Sequence, residues 1–328
     1  MNTLPRRIRR APLYLALAVM MAAPGLLLAA DPGAPQATTI AADAAAKPLQ
    51  QSWTIADDAT IEIHNVRGSV DISAGEPGRA TLDGSLGAGS RLVIAGDSRR
   101  LELHVEAADQ QHGWFNHHGP ASDTTLSLKV PAGVSVRLDL VSADAKVSGI
   151  DGKSLNVECV SGKLTLDSGA EQVDVESVSG DVIFKATRAD PSHRIHLQTV
   201  SGDIELSGAS GRVKFDSVSG NVRLTGEQLQ EFEAGTVSGS VNLVAATLAK
   251  HGRVQVETMS GDIRTALPAD ISAHIEAESF SGRIRTEFGT VNKPEYGPGS
   301  SLEATMGDGD AQISTKSFSG NVDILKKQ

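Results

Sequence analysis

One corner is written eight times in this chain. "VECVSGKLTL", "VESVSGDVIF", "LQTVSGDIEL", "FDSVSGNVRL", "AGTVSGSVNL", "VETMSGDIRT", "AESFSGRIRT" and "TKSFSGNVDI" share one plan. With each Gly set as position zero, the anchors are Gly162, Gly180, Gly202, Gly220, Gly239, Gly261, Gly282 and Gly320. Their spacings are 18, 22, 18, 19, 22, 21 and then 38, close to two periods. Two weaker copies put Gly68 and Ala143 at zero. A unit of about 20 residues is too small to bury a face alone, so copies must stack on one another.

The columns of the alignment say how each unit is built. Positions −7 and −5 are mostly apolar, as in Val173 and Val175 or Val213 and Phe215. Position −3 is small: Cys159, Ser177, Thr199, Ser217, Thr236, Thr258, Ser279 or Ser317. Position −2 is always apolar, from Val160 to Phe318, and +2 and +4 are apolar again, as in Val182 and Phe184. Residues on one face of a strand recur with period two, and read this way the inward set runs −7, −5, −3 and then −2, +2, +4. That phase shift demands a bend or bulge at the Ser-Gly, where glycine allows backbone conformations closed to other residues. Each unit is therefore two strands joined by one kink, and the expected architecture is an all-β solenoid, a parallel β-helix of Val-Ser-Gly repeats. The alternative is an antiparallel β-sandwich of hairpin repeats, since Gly and Ser also punctuate hairpins.

Composition agrees with many short strands. Aromatics are 3% of the 328 residues, Gly numbers 33, and no long segment after residue 50 has helical periodicity. The single Cys159 cannot make an internal disulfide and occupies a Ser/Thr column, which reads as a small core residue.

Residues 1–30 read as a secretory signal peptide. Arg6, Arg7, Arg9 and Arg10 precede an apolar run that ends in small residues near "LLLAAD". Cleavage would leave no stable membrane span and a chain more acidic than the formal −10 of the full sequence. Such a chain is a poor nucleic-acid ligand. Residues 31–50, rich in Ala, Pro and Thr, read as a flexible linker. Residues 53–135 are the less regular N-terminal rungs or cap, and residues 136–328 are the regular solenoid.

The order "WTI", "IEIHNVRGSVDI", "LKVPAGVSV" and then serial "VSGDV" units resembles the bacterial putative-adhesin β-strand-repeat domain family, over roughly residues 53–325. The resemblance implies an exported or envelope-associated repeat protein with adhesion as its role. It brings no catalytic residues with it.

Candidate sites are few. "HGWFNHHG" offers His112, His117 and His118, with His104 nearby, as imidazoles, and Trp114 and Phe115 as stacking surfaces for a ligand. No Cys or carboxylate spacing completes a metal site there. Position −4 is acidic in Glu158, Glu176, Asp216, Glu257 and Glu278, and +1 adds Asp181, Asp203 and Asp262. These read as a solvated face that discourages aggregation. Eight equivalent serines are not one activated nucleophile. The sequence therefore predicts no catalytic residue, no cofactor and no metal.

The functional expectation is a non-enzymatic cell-envelope module, an adhesin or scaffold, in the periplasm or at the cell surface. Its partner would be a cell-surface glycan or an envelope protein. A polysaccharide-acting β-helix enzyme and a self-assembling structural protein are the alternatives. The charged tail "LKKQ" speaks against an open C-terminal edge for such assembly.

Overall fold

The computed structural model describes residues 38–42, 45–107, 122–295 and 298–327. Its 22 strands belong to one hydrogen-bonded network, and residues Pro35–Gln328 form one compact unit. Within a rung, a first strand leads to the Ser-Gly corner and a second strand leaves it, as in Gln172–Ser179 and Val182–Ala186. Successive rungs pair in parallel. Val175 lies beside Val157 on one side and Leu197 on the other, and Phe184 lies beside Leu166 and Leu206. Two parallel ladders result, one before the corner and one after it. This is the solenoid; the hairpin sandwich is not what the repeats form.

The core follows from the alternation. Val173, Val175, Val182 and Phe184 of one rung are each at most 1% exposed, and the buried side chains of both ladders form one apolar cluster. Phe215 and Phe232 meet edge to face at 5.8 Å across neighbouring rungs. Repeating short aliphatics at a rung spacing of about 4.8 Å keeps this core continuous with few aromatics.

The stack does not follow the chain at its two ends. In space the rungs run 68, 143, 162, 180, 202, 220, 239, 261, 320, 282. The sequence-last strands Ala311–Ser319 and Val322–Lys326 lie between the Gly261 rung and the Gly282 rung. At the other end, Thr60–Ala74 lies between the Ser135–Ile150 rung and an outer rung made by Arg100–Ala107 and Thr124–Val130. Antiparallel strands then cover both outer ends. Arg79–Leu86 pairs with Thr124–Val130, Ser90–Gly96 with Arg100–Ala107, and Ser300–Met306 with Ala273–Ser279. The sequence-last segment is thus interior, and the tail is not the terminal edge that the sequence suggested.

Two further expectations are corrected. The stretch 31–50 contains strands, not only linker. Thr38–Ala42 pairs with Ser90–Gly96, and Lys47–Thr54 pairs with Arg79–Leu86, burying Ala42 and Leu49. Isolated small residues hid these edge strands because their alternation exists only against the partner. Nor is 135/136 a boundary, because Ser135–Ile150 pairs along its length with Thr60–Ala74. The proposed signal segment, residues 1–30, lies outside the described residues.

Candidate functional site: the corner edge

The corner begins with a steric rule. Gly68, Gly162, Gly180, Gly202, Gly220, Gly239 and Gly261 have φ between 111° and 158°. A Cβ on Gly180 would stand 2.0 Å from the Gly162 carbonyl oxygen, and the same contact recurs from Gly202 to Gly320 and Gly282. Only hydrogen fits where each rung's glycine faces the carbonyl of the rung before it. The corner glycines carry shape.

The backbone ladder skips one donor at each corner. The Gly162 N–H bonds the Ser179 carbonyl, and the Leu164 N–H bonds the Asp181 carbonyl. The N–H of position +1 lies between these and is met by a side chain instead. Asp181 Oδ1 accepts the Asp203 N–H at 3.1 Å, Asp203 Oδ1 the Asn221 N–H at 2.8 Å, and Asn221 Oδ1 the Ser240 N–H at 3.2 Å. Asp144, Asp262 and Asn321 do the same for Lys163, Asn321 and Arg283. The Asp and Asn members of the +1 column are therefore acceptors for the next rung's N–H, with Lys163, Ser240 and Arg283 interrupting the file, a role the sequence reading missed.

Position −3 is buried as expected. Ser279 Oγ accepts the Gly282 N–H and donates to the Gly320 carbonyl, each at 2.9 Å. Ser177, Thr199, Ser217, Thr236 and Thr258 present buried hydroxyls with no hydrogen-bond partner. Cys159 completes the file, and burial pushes its thiol above the ordinary range.

Position −2 is where the structure differs most from the sequence reading. The apolar side chain there points outward. Val66, Val141, Val160, Val237, Met259, Phe280 and Phe318 are 43–61% exposed, and they are all of the large exposed apolar residues among those described. Every one is at −2. Strict alternation from −3 already places −2 outside; the corner changes phase after it, not before. Register stacks them in two runs, Val66–Val141–Val160 and Val237–Met259–Phe318–Phe280, joined by the partly buried Val178, Val200 and Val218, and the second run ends in Phe318 and Phe280, stacked at 4.9 Å with 8° between their planes. Beside it, −1 is Ser in each rung from Ser142 to Ser319. The result is an uncharged apolar ridge along one edge of an acidic protein.

The outward face of the first ladder is charged and mostly paired. The −4 file mixes signs through Lys316, which lies 3.5 Å from Glu278, and Arg137 of the −6 file reaches Glu158 at 2.6 Å. His196 sits between Asp174 and Asp216, 3.3 Å from each. Its hydrogen bond to Asp216, with the Asp174 charge, raises its pKa against the opposing effect of burial and Lys214. The same bond lowers that of Asp216. His104 stacks on His64 at 4.9 Å, and His64 lies 3.0 Å from Asp139. Among the described residues no three His, Cys, Asp or Glu side chains gather as a metal would require. His112, Trp114, Phe115, His117 and His118 lie outside the described residues.

A family signature described as Toastrack DUF4097 matches residues 59–325, from the Gly68 rung to the last strand. The chain belongs to that family. Solved structures that match this Toastrack chain include a putative cell adhesion protein from Clostridium sporogenes. It has 13% identity and a TM-score of 0.28, with 86% of this chain and 100% of that one covered. A putative adhesin from Bacteroides fragilis has 11% identity and a TM-score of 0.36, covering 86% and 97%. A putative lipid binding protein from Parabacteroides distasonis has 12% identity and a TM-score of 0.37, covering 88% and 99%. No curated protein matches the Toastrack chain.

Proposed function

We propose that this Toastrack chain is an exported, non-enzymatic module of the cell envelope, an adhesin or scaffold that holds an envelope protein along its corner edge. The observation that carries this is the −2 ridge. The described large apolar residues left exposed all fall on one line. Contiguous exposed apolar surface marks an interaction site, and scattered apolar residues do not. Burying a whole Val, Met or Phe stabilises by about 1.5–3 kcal/mol, so each half-exposed side chain keeps roughly 1 kcal/mol for a partner. The neutral −1 serines let a partner approach without meeting the chain's acidic charge. The other repeated groups, the −3 hydroxyls, corner glycines and +1 carboxylates, are committed to the rung itself. Export is supported by the arginine-led apolar segment at residues 1–30.

The test is retention in the envelope. A variant carrying Val160→Glu, Val237→Glu and Met259→Glu keeps the wild-type melting temperature, because these side chains already face water. Fractionation of the producing cells with an antibody to the solenoid should find wild type with the envelope and the variant in the soluble fraction. Equal partition of the two would defeat the reading, as would a wild type left in the cytoplasm.

A further inference from the structure

The outward face of the second ladder carries a different feature. Its +3 file reads Glu205, Arg223, Asn242, Arg264, Asp323, Arg285 in spatial order. Arginine recurs on every second rung from Arg223 onward, an interval of about 9.6 Å at about 4.8 Å per rung. With Arg283 these side chains line an open groove of about 560 Å³. Among the described residues none of the four guanidiniums is ion-paired. Asp323, in register between Arg264 and Arg285, has a shielded Oδ1 with no hydrogen-bond partner. Asp262, on the same groove, accepts both the backbone and side-chain N–H of Asn321 through Oδ1. From the Gly220 rung to the Gly282 rung, arginines therefore outnumber carboxylates, on a chain whose formal charge is −10.

We propose that this groove binds a linear acidic polysaccharide laid along the rung-stacking direction, with uronate carboxylates on Arg223, Arg264 and Arg285. A guanidinium holds a carboxylate at about 2.7–2.9 Å, so arginines two rungs apart do not converge on one small anion. They read charges that repeat along a polymer. Two pyranose rings advance about as far as two rungs, so a polymer with a carboxylate on alternate sugars matches the row. Asn242, between two of the arginines, offers an amide donor and acceptor to the intervening sugar's hydroxyls. Duplex nucleic acid fits less well, because each strand's phosphates recur about every 3.4 Å of helix axis. An anionic bilayer would press equally on Asp181, Asp203 and Glu205 at the other end of the groove. This site is separate from the corner edge and does not depend on it.

The experiment is calorimetric titration of the full chain with hyaluronan, which carries a carboxylate on every second sugar. The controls are carboxyl-reduced hyaluronan, single-stranded DNA and anionic phospholipid vesicles. The expected result is hyaluronan binding that weakens with salt, with none to the controls. The double variant Arg264→Ala/Arg285→Ala should lose at least tenfold in affinity at an unchanged melting temperature. The corner variant Val160→Glu/Val237→Glu/Met259→Glu should bind hyaluronan as wild type, so the two sites fail independently. Absence of hyaluronan binding, equal binding of the reduced polymer, tighter binding of DNA or vesicles, or an unaffected double variant would overturn the proposal.

Discussion

The α-carbon of Gly180 faces the carbonyl oxygen of Gly162 so closely that a Cβ would lie 2.0 Å from it. The obstacle is backbone of the neighbouring rung, which cannot swing aside, and the φ of 135° is itself unfavourable for other residues. Gly180→Ala should cost at least about 2 kcal/mol, from strain and displacement of the ladder together. Gly78 also has positive φ, at 74°, but nothing lies within 4 Å of its missing Cβ. Gly78→Ala should cost only about 1 kcal/mol. Urea unfolding of both variants measures the contrast; equal losses would mean that φ, not the neighbouring carbonyl, selects glycine.

The acceptor file at +1 makes a second contrast. Asp203 Oδ1 receives the Asn221 N–H, and an amide oxygen would serve as well. Asp203→Asn should remain within about 0.5 kcal/mol of wild type, whereas Asp203→Ala should lose about 1 kcal/mol by stranding that donor. Amide hydrogen exchange should show the Asn221 N–H losing protection only in the alanine variant. A large loss in both would point to charge as the cause.

The repeat was legible in the sequence because glycine has no substitute at its corner, so the register of the solenoid could be set on Gly162 to Gly320. The −2 column was not. Its apolar residues were read as inward because burial is the usual fate of Val and Phe, yet apolar surface is common outside and the rule runs one way. The alternation from Val175 through Ser177 held the correct answer. The +1 role of Asp203 was hidden because composition shows charge and not the unpaired N–H beside it. The inserted last rung was hidden because a spacing of 38 residues reads equally as a skipped period. The arginine row of the second ladder appears only when residues are put in spatial order, since Arg285 precedes Asp323 in the chain but lies beyond it in the stack.

Buried hydroxyls supply a prediction of opposite sign. Thr199 is 1% exposed and its Oγ1 has no partner. Thr199→Val keeps the shape and removes an uncompensated polar group, so it should stabilise by about 1 kcal/mol. Ser279 bonds on both sides, and Ser279→Ala should destabilise by about 1–2 kcal/mol. Chemical denaturation of the pair decides; a destabilised valine variant would show that the Thr199 hydroxyl is satisfied in solution.

His196 gives the fold a pH dependence. Its pKa is raised in the folded state above the ordinary value of about 6.5. The charged form is therefore favoured by folding, and its contribution is complete below about pH 6.5 and lost as pH rises through the folded value. Asp216, lowered by the same bond, is ionised throughout that window. The melting-temperature difference between wild type and His196→Gln should be larger at pH 5.5 than at pH 9. A difference that stays constant with pH would remove His196 as the cause.

The corner holds −3 inside and −2 outside, which thiol labelling of Val237→Cys tests directly. The variant holds two thiols, the new one at an exposed −2 position and the native Cys159 at a buried −3 position. Under native conditions a maleimide should add once, at position 237, with Cys159 reacting only after denaturation. Protection of position 237, or native labelling of Cys159 at a comparable rate, would contradict the corner geometry and the edge built on it.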